Sequence, residues 1–254
     1  MKSKFFYTLF TLVIVTVLCV VFFNKKDTVA IIGAMDSEIK EVSVNLSDAI
    51  QKQNNDFIIT TGNLGKYRII LSKSGVGKVA AATTTQYIID KYKPMYIINI
   101  GIAGSLSPDL KASDTIIAGK MVQHDFDVTA FGNPKGYIDN GIEPNKPTFF
   151  YSDKTLINKF SKNNSIKLIT VATGDIFVTD TKLKQNIKKE FGAKAVDMES
   201  AAIAQTANKN NIPVIVIKTI SDGINDSTNE YNKNKQTSAQ NPALAIIDIL
   251  KYNK

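Results

Sequence analysis

The stretch from Ala195 to Gly223 constrains this chain most, because its residue pattern changes twice and acidic side chains follow both strand-like runs. Ala195 and Val196 are strand-like and lead into Asp197-Met198-Glu199, after which Ala201, Ala202, Ile203, Ala204, Gln205 and Ala207 are good helix formers. Asn210, Asn211 and Pro213 end that helix. Val214-Ile215-Val216-Ile217 then reads as a strand buried on both faces, and the chain turns at Ser221-Asp222-Gly223. A strand–helix–strand unit of this kind belongs to an α/β sheet, where ligands gather outside the carboxyl ends of the strands. Glu199 and Asp222 both fall there. Singly, an acid in a first helical turn is favoured by the helix dipole, and an acid after a strand caps a turn. As a pair they mark a candidate site, and an ionised Glu199 suits the acceptance of hydrogen bonds from a sugar diol.

The same grammar recurs upstream. Val29 to Met35 is a strand running into Asp36-Ser37-Glu38 and a helix through Leu46, so another carboxylate sits at a strand's end. Gly33 alone lacks the spaced glycines of a dinucleotide fingerprint. Residues 57–61 and 67–72 read as an antiparallel hairpin around Gly62-Asn63-Leu64-Gly65. Ser74-Gly75-Val76-Gly77-Lys78 is not a triphosphate loop, because Ser72 stands where the first glycine is required and Val79 replaces the metal-binding hydroxyl. Its glycines instead make a tight turn into a helix over residues 80–91. Strands follow over 96–100, 114–118 and 168–172. The Gly/Pro/Asn-rich stretch from His124 to about Pro147 reads as a loop, in which the lone His124 is a hydrogen bonder rather than a catalyst. Phe177, just past the strand ending at Ala172, is placed either to stack on a heterocycle or to fill core. The helix over 180–191 presents a lysine-rich outer face, read as solvated, and a final helix covers 242–252.

Residues 5–23 carry no charge and lie between Lys2/Lys4 and Lys25/Lys26, a length that suits a bilayer core. They predict an N-terminal membrane anchor or signal segment over residues 1–27, ahead of one domain over 28–254. The expected result is an exported, membrane-associated protein, with the domain outside the cytoplasm. Bulky residues from Leu18 to Phe23 favour an uncleaved anchor, and Leu18 disfavours lipidation of Cys19. The formal charge is +8, of which those four lysines supply half. One arginine, Arg68, argues against nucleic acid as a partner. One cysteine and one histidine argue against a structural zinc site, and no cofactor is implied.

Taken together, Ile32-Gly33-Ala34-Met35 with Glu38, Ser74-Gly75-Val76-Gly77-Lys78, Asp125 with Asp127-Val128-Thr129-Ala130-Phe131-Gly132, Gly174-Asp175 with Phe177, Val196-Asp197-Met198-Glu199 and Ile220-Ser221-Asp222 form an ordered set. That set resembles the bacterial 5′-methylthioadenosine/S-adenosylhomocysteine nucleosidases over nearly everything from Thr28 onward. The resemblance implies a nucleoside-phosphorylase-like, single-domain α/β fold, three-layered α/β/α with a mixed central sheet. It implies a homodimer that hydrolyses the N-glycosidic bond of adenosine thioethers, and 5′-deoxyadenosine too, without metal. Such a reaction passes through an oxocarbenium-like sugar, so one acid helps the base depart while a carboxylate orients water. By resemblance Asp222 is the acid at adenine N7 and Glu38 activates water. Glu199 holds the ribose hydroxyls, Phe177 stacks on adenine, and the backbone of Val178 reads its edge. Met35, Val76 and Met198 line the sugar and alkylthio region, and Val128 and Phe131 reach into the neighbouring subunit's pocket.

Two positions depart from the family's usual pattern. Ile102 stands where a serine is usual, and Lys218 where an arginine precedes the Ile-Ser-Asp segment, which predicts reduced but real turnover. A nucleoside phosphorylase would share the fold but must bind phosphate, which one arginine and Glu38 disfavour. An exported lysine-rich adhesin that binds sulfated polysaccharide is the reading of another class.

Overall fold

Every residue from Val29 to Ile32 is fully buried, and alternate side chains enter opposite layers, so β1 (Thr28–Gly33) is the middle of a sandwich. The structure is a computed structural model that describes residues 26–139, 145–161, 166–224 and 228–252. Ala30 and Ile32 pack with residues of α2 (Lys78–Tyr92) and α5 (Ser200–Lys209). Val29 and Ile31 pack with residues of α1 (Asp36–Val44) and α6 (Thr228–Tyr252). This is the expected three-layer α/β/α arrangement, and it forms a single domain.

The sheet is mixed, as expected. Its order is β10 (Val214–Asp222), β6 (Thr115–Gln123), β8 (Lys167–Thr173), β9 (Ala195–Asp197), β5 (Tyr96–Ser105), β1, β4 (Tyr67–Lys73), β3 (Phe57–Leu64) and β2 (Ser47–Asn54). β7 (Phe149–Tyr151) adds to β6, and β10 also pairs with β5, so part of the sheet curls onto itself. β1 is parallel to both β4 and β5, β5 to β10, and β8 to β6 and β9. β3 runs antiparallel to β4, as the hairpin predicts. Two further helices complete the described chain, α3 (Lys154–Phe160) and α4 (Thr181–Phe191).

Register brings the acidic strand ends together. Asp222 lies opposite Gly104, Gly104 opposite Val196, and Thr173 opposite Asp197. The glycine-rich end of β5 therefore sits between β9 and β10. β1 adjoins β5 on the other side and delivers α1 to the same edge.

Residues 5–23, on which the membrane anchor rests, lie outside the described residues. Among the described residues no helix is long and apolar enough to cross a membrane. The expectation for α4 also needs correction. Lys184 is fully buried, because it shares a helical face with Ile187 and Phe191, both packed in the core beside β6 and β8.

Candidate active site

Glu38 is in the first turn of α1, and its side chain folds back over that helix's free N–H groups. Oε2 accepts from the backbone of Ala34 at 2.6 Å and Met35 at 3.0 Å, while Oε1 accepts from the backbone of Ile102 at 3.0 Å. The carboxylate is thus tied to the ends of both β1 and β5. Gly101 makes this approach feasible, since a Cβ there would fall 2.6 Å from Oε1. Burial pushes the Glu38 carboxyl up from its ordinary value, against the lowering pull of Lys218 and the three backbone donors.

Glu199 is the residue immediately before α5, and its Oε1 accepts from the backbone N–H of Gly77 at 3.0 Å. Gly77, at φ +100°, starts α2 in a conformation that favours glycine. Behind Glu199 lies Lys218, whose buried ammonium reaches Asp197 at 3.0 Å and Glu199 at 4.0 Å. Burial disfavours the Lys218 charge, but Asp197, Glu199 and Glu38 outweigh it and hold the lysine above its usual range. Asp197 is a supporting residue. It accepts from Thr173 Oγ1 at 2.6 Å and from both the hydroxyl and the backbone N–H of Ser200, pinning the start of α5. Burial lifts the Glu199 carboxyl to about 7, with Lys218 opposing and Asp197 adding to the rise.

Asp222 ends β10 and is 2% exposed. Its Oδ1 accepts from Ser221 Oγ at 2.7 Å, and Lys184 Nζ stands 3.4 Å from Oδ2.

Glu38, Glu199 and Asp222 border one cleft of about 580 Å³, its open mouth included. Met35, Val76, Phe177, Val178 and Met198 line it as well. Phe177, 46% exposed, meets Tyr231 edge to face at a centroid distance of 5.0 Å, so it belongs to the cleft rather than the core. Tyr231 also lines the cleft and places its hydroxyl 3.9 Å from the Met35 sulfur. Sequence reading missed Tyr231, because the polar start of α6 shows no helical apolar period. Val128 and Phe131 do not line the cleft; Phe131 is 84% exposed on a single 3₁₀ turn. His124 is buried beside Gly174 and does not line the cleft either. Ile102 does, while no lysine or arginine appears among the described lining residues. Arg68 lies on β4 at the opposite edge, paired in register with Thr28.

From residue 28 to 251 the sequence matches the phosphorylase superfamily. A relative from Buchnera aphidicola (strain Tuc7), a 5′-methylthioadenosine/S-adenosylhomocysteine nucleosidase, is 39% identical over 231 residues, covering 88% of this chain and 92% of the relative. The chain belongs to this nucleosidase family of the phosphorylase superfamily. Among solved structures, the Neisseria meningitidis nucleosidase in complex with methylthio-immucillin-A superposes on it with a TM-score of 0.82 at 33% identity, covering 89% of this chain and 99% of the other. Helicobacter pylori futalosine hydrolase superposes with a TM-score of 0.81 at 29% identity, covering 87% of this chain and 95% of the other.

Membership overturns the exported, membrane-associated placement. The nucleosidase relatives that establish this membership conflict with that placement, and the family match covers residues 28–251.

Proposed function

We propose that this nucleosidase hydrolyses the N-glycosidic bonds of 5′-methylthioadenosine and S-adenosylhomocysteine, releasing adenine and the 5′-substituted ribose, and that 5′-deoxyadenosine is a further substrate. The observation that carries the reading is the convergence of Glu38, Glu199 and Asp222 on one cleft. In the reaction the C1′–N9 bond breaks with its electron pair passing to the purine. The proton on Asp222 goes to N7, a water oxygen bonds to C1′, and the proton it sheds goes to Glu38. Two buried carboxyls in opposite protonation states perform this without metal.

Glu199 accepts the ribose 2′ and 3′ hydroxyls, which takes the place of part of its lost hydration. Phe177 stacks on the purine, the Val178 backbone reads the purine edge, and Met35, Val76 and Met198 line the sugar and alkylthio region. Tyr231 joins the alkylthio wall, since it contacts both Phe177 and Met35. Val128 and Phe131 complete the neighbouring subunit's pocket in a homodimer, which accounts for an 84% exposed phenylalanine that does not line its own cleft. The catalytic domain is residues 28–254.

Phosphorolysis is disfavoured, because phosphate in this cleft would meet carboxylates and no cationic side chain among the described lining residues. The adhesin reading loses its premise together with export. Adenine release from the two thioethers and 5′-deoxyadenosine, with futalosine as a fourth substrate, tests the proposal. Release must be independent of phosphate and abolished in Asp222→Asn. Phosphate dependence, or no turnover of any of the first three, overturns it.

A further inference from the structure

One buried cation takes no part in the chemistry proposed above. Lys184 on α4 is 0% exposed, and its Nζ donates to the Gly223 carbonyl at 2.7 Å. The same Nζ stands 3.4 Å from Asp222 Oδ2. A buried ammonium is costly unless opposite charge and hydrogen bonds compensate it, and both partners here are at the end of β10. On the other side of the carboxyl, Ser221 Oγ holds Oδ1 at 2.7 Å. Gly104 closes a further approach, as a Cβ there would lie 3.1 Å from Oδ2. The other ionisable groups of the cleft are Glu38 on α1, Glu199 ahead of α5, Asp197 on β9 and the Tyr231 phenol on α6, with Lys218 behind them on β10. Lys218 is engaged by Asp197 and Glu199, whereas Lys184 meets Asp222.

We infer that Lys184 is a positioning residue for the general acid, fixing the orientation of the Asp222 carboxyl and stabilising the carboxylate left once its proton has moved to the purine. This rests on the assignment of Asp222 as the acid. A nearby ammonium favours the carboxylate over the carboxylic acid, so Asp222 releases its proton more readily as the glycosidic bond stretches. Removal of the cation must therefore carry upward the limb of the pH profile that Asp222 sets.

The test is kcat/KM for 5′-methylthioadenosine against pH, with the purified full chain and its Lys184→Met and Lys184→Arg variants. In Lys184→Met that limb moves up by about one pH unit or more, and the plateau falls roughly tenfold or more. In Lys184→Arg the limb stays with the wild type. A folded Lys184→Met protein whose limb does not move overturns the inference. If that variant does not fold, Lys184→Gln, which can still donate to Gly223, answers the same question. Failure of both to fold marks Lys184 as structural and overturns the inference too. A wild type that releases no adenine at any pH fails the nucleosidase reading instead, so the two failures are distinguishable.

Discussion

Lys218 and Asp197 form an ion pair of 3.0 Å in which both side chains are 1% exposed, directly behind the carboxylate proposed to hold the ribose. Truncating a buried pair on one side leaves an uncompensated charge, at a cost of about 3–5 kcal/mol. Here Asp197, Glu199 and Glu38 would all lose their common counter-charge. Lys218→Met is therefore expected to lower Tm by roughly 10 °C, given about 2–4 °C per kcal/mol for a domain of this size. A calorimetric shift below about 2 °C would show that the pair is not structural.

The acid side of the pH profile follows from burial. Glu199 is lifted to about 7 and Glu38 is lifted as well, and in the proposed reaction both must be ionised to accept the diol and activate water. Activity should accordingly fall as pH drops below about 7, approaching a slope of two on a logarithmic plot. Glu199→Gln should reduce that slope to one and lower kcat/KM by roughly 10–100-fold, the worth of a charged hydrogen bond. Stability runs the other way. A carboxyl whose folded value exceeds its unfolded one keeps extra protons in the native state, so stability declines as pH rises from the ordinary glutamate value to about 7. Glu199→Gln should flatten that decline in a Tm series over this window.

Much of this site is legible before any coordinates, because β-branched runs give the strands away and the acids follow them directly. Glu38, Glu199 and Asp222 are all placed by that one rule. What escapes it is polar or shared between periods. β2 is exposed at every position, so no alternation marks it. α6 extends N-terminal to Pro242, which reads in sequence as a helix start. Lys184 sits on the same helical face as Ile187 and Phe191, and its position rather than its charge indicates burial. Tyr231 is hidden in a polar segment and reaches the cleft on a helix, α6, that packs against β10.

Gly101 offers a steric test of Glu38. A methyl group there would lie 2.6 Å from Oε1 and 3.0 Å from Lys218 Nζ, and three backbone donors prevent the carboxylate from swinging aside. Gly101→Ala should cost about 100-fold in kcat, since a displacement near 1 Å disrupts the water's alignment. KM should change little, because the ribose and purine contacts are elsewhere. Equal losses in kcat and 1/KM would mean that the substitution disturbs binding instead.

Phe131 tests the proposed dimer. Burying its ring in a partner's pocket contributes about 1.5–3 kcal/mol, so Phe131→Ala should raise KM for 5′-methylthioadenosine roughly 10–100-fold. Sedimentation of the variant should show weakened, concentration-dependent association. A wild type that sediments as a monomer while fully active would remove the partner from the site.

Ile102 and Lys218, the two positions read as departing from the family pattern, touch the proposed catalytic and ribose-holding carboxylates, Ile102 through Glu38 and Lys218 through Glu199. Ile102 is 8% exposed, lines the cleft, and already orients Glu38 through its N–H. Its side chain offers no hydrogen bond to a water, whereas a serine hydroxyl at that position would. Lys218 reaches Asp197 at 3.0 Å but Glu199 only at 4.0 Å, a spacing that the wider fork of an arginine can span with separate donors. Ile102→Ser and Lys218→Arg are each expected to raise kcat several-fold. Ile102→Ser should also lower stability by about 1–3 kcal/mol through lost apolar burial. Space for a guanidinium is limited on the side of β5, since even a methyl group on Gly101 would come within 3.0 Å of Lys218 Nζ. A fall in kcat for Lys218→Arg with Ile102→Ser unaffected would therefore locate the constraint in the space beside Gly101 rather than in the ordering of water.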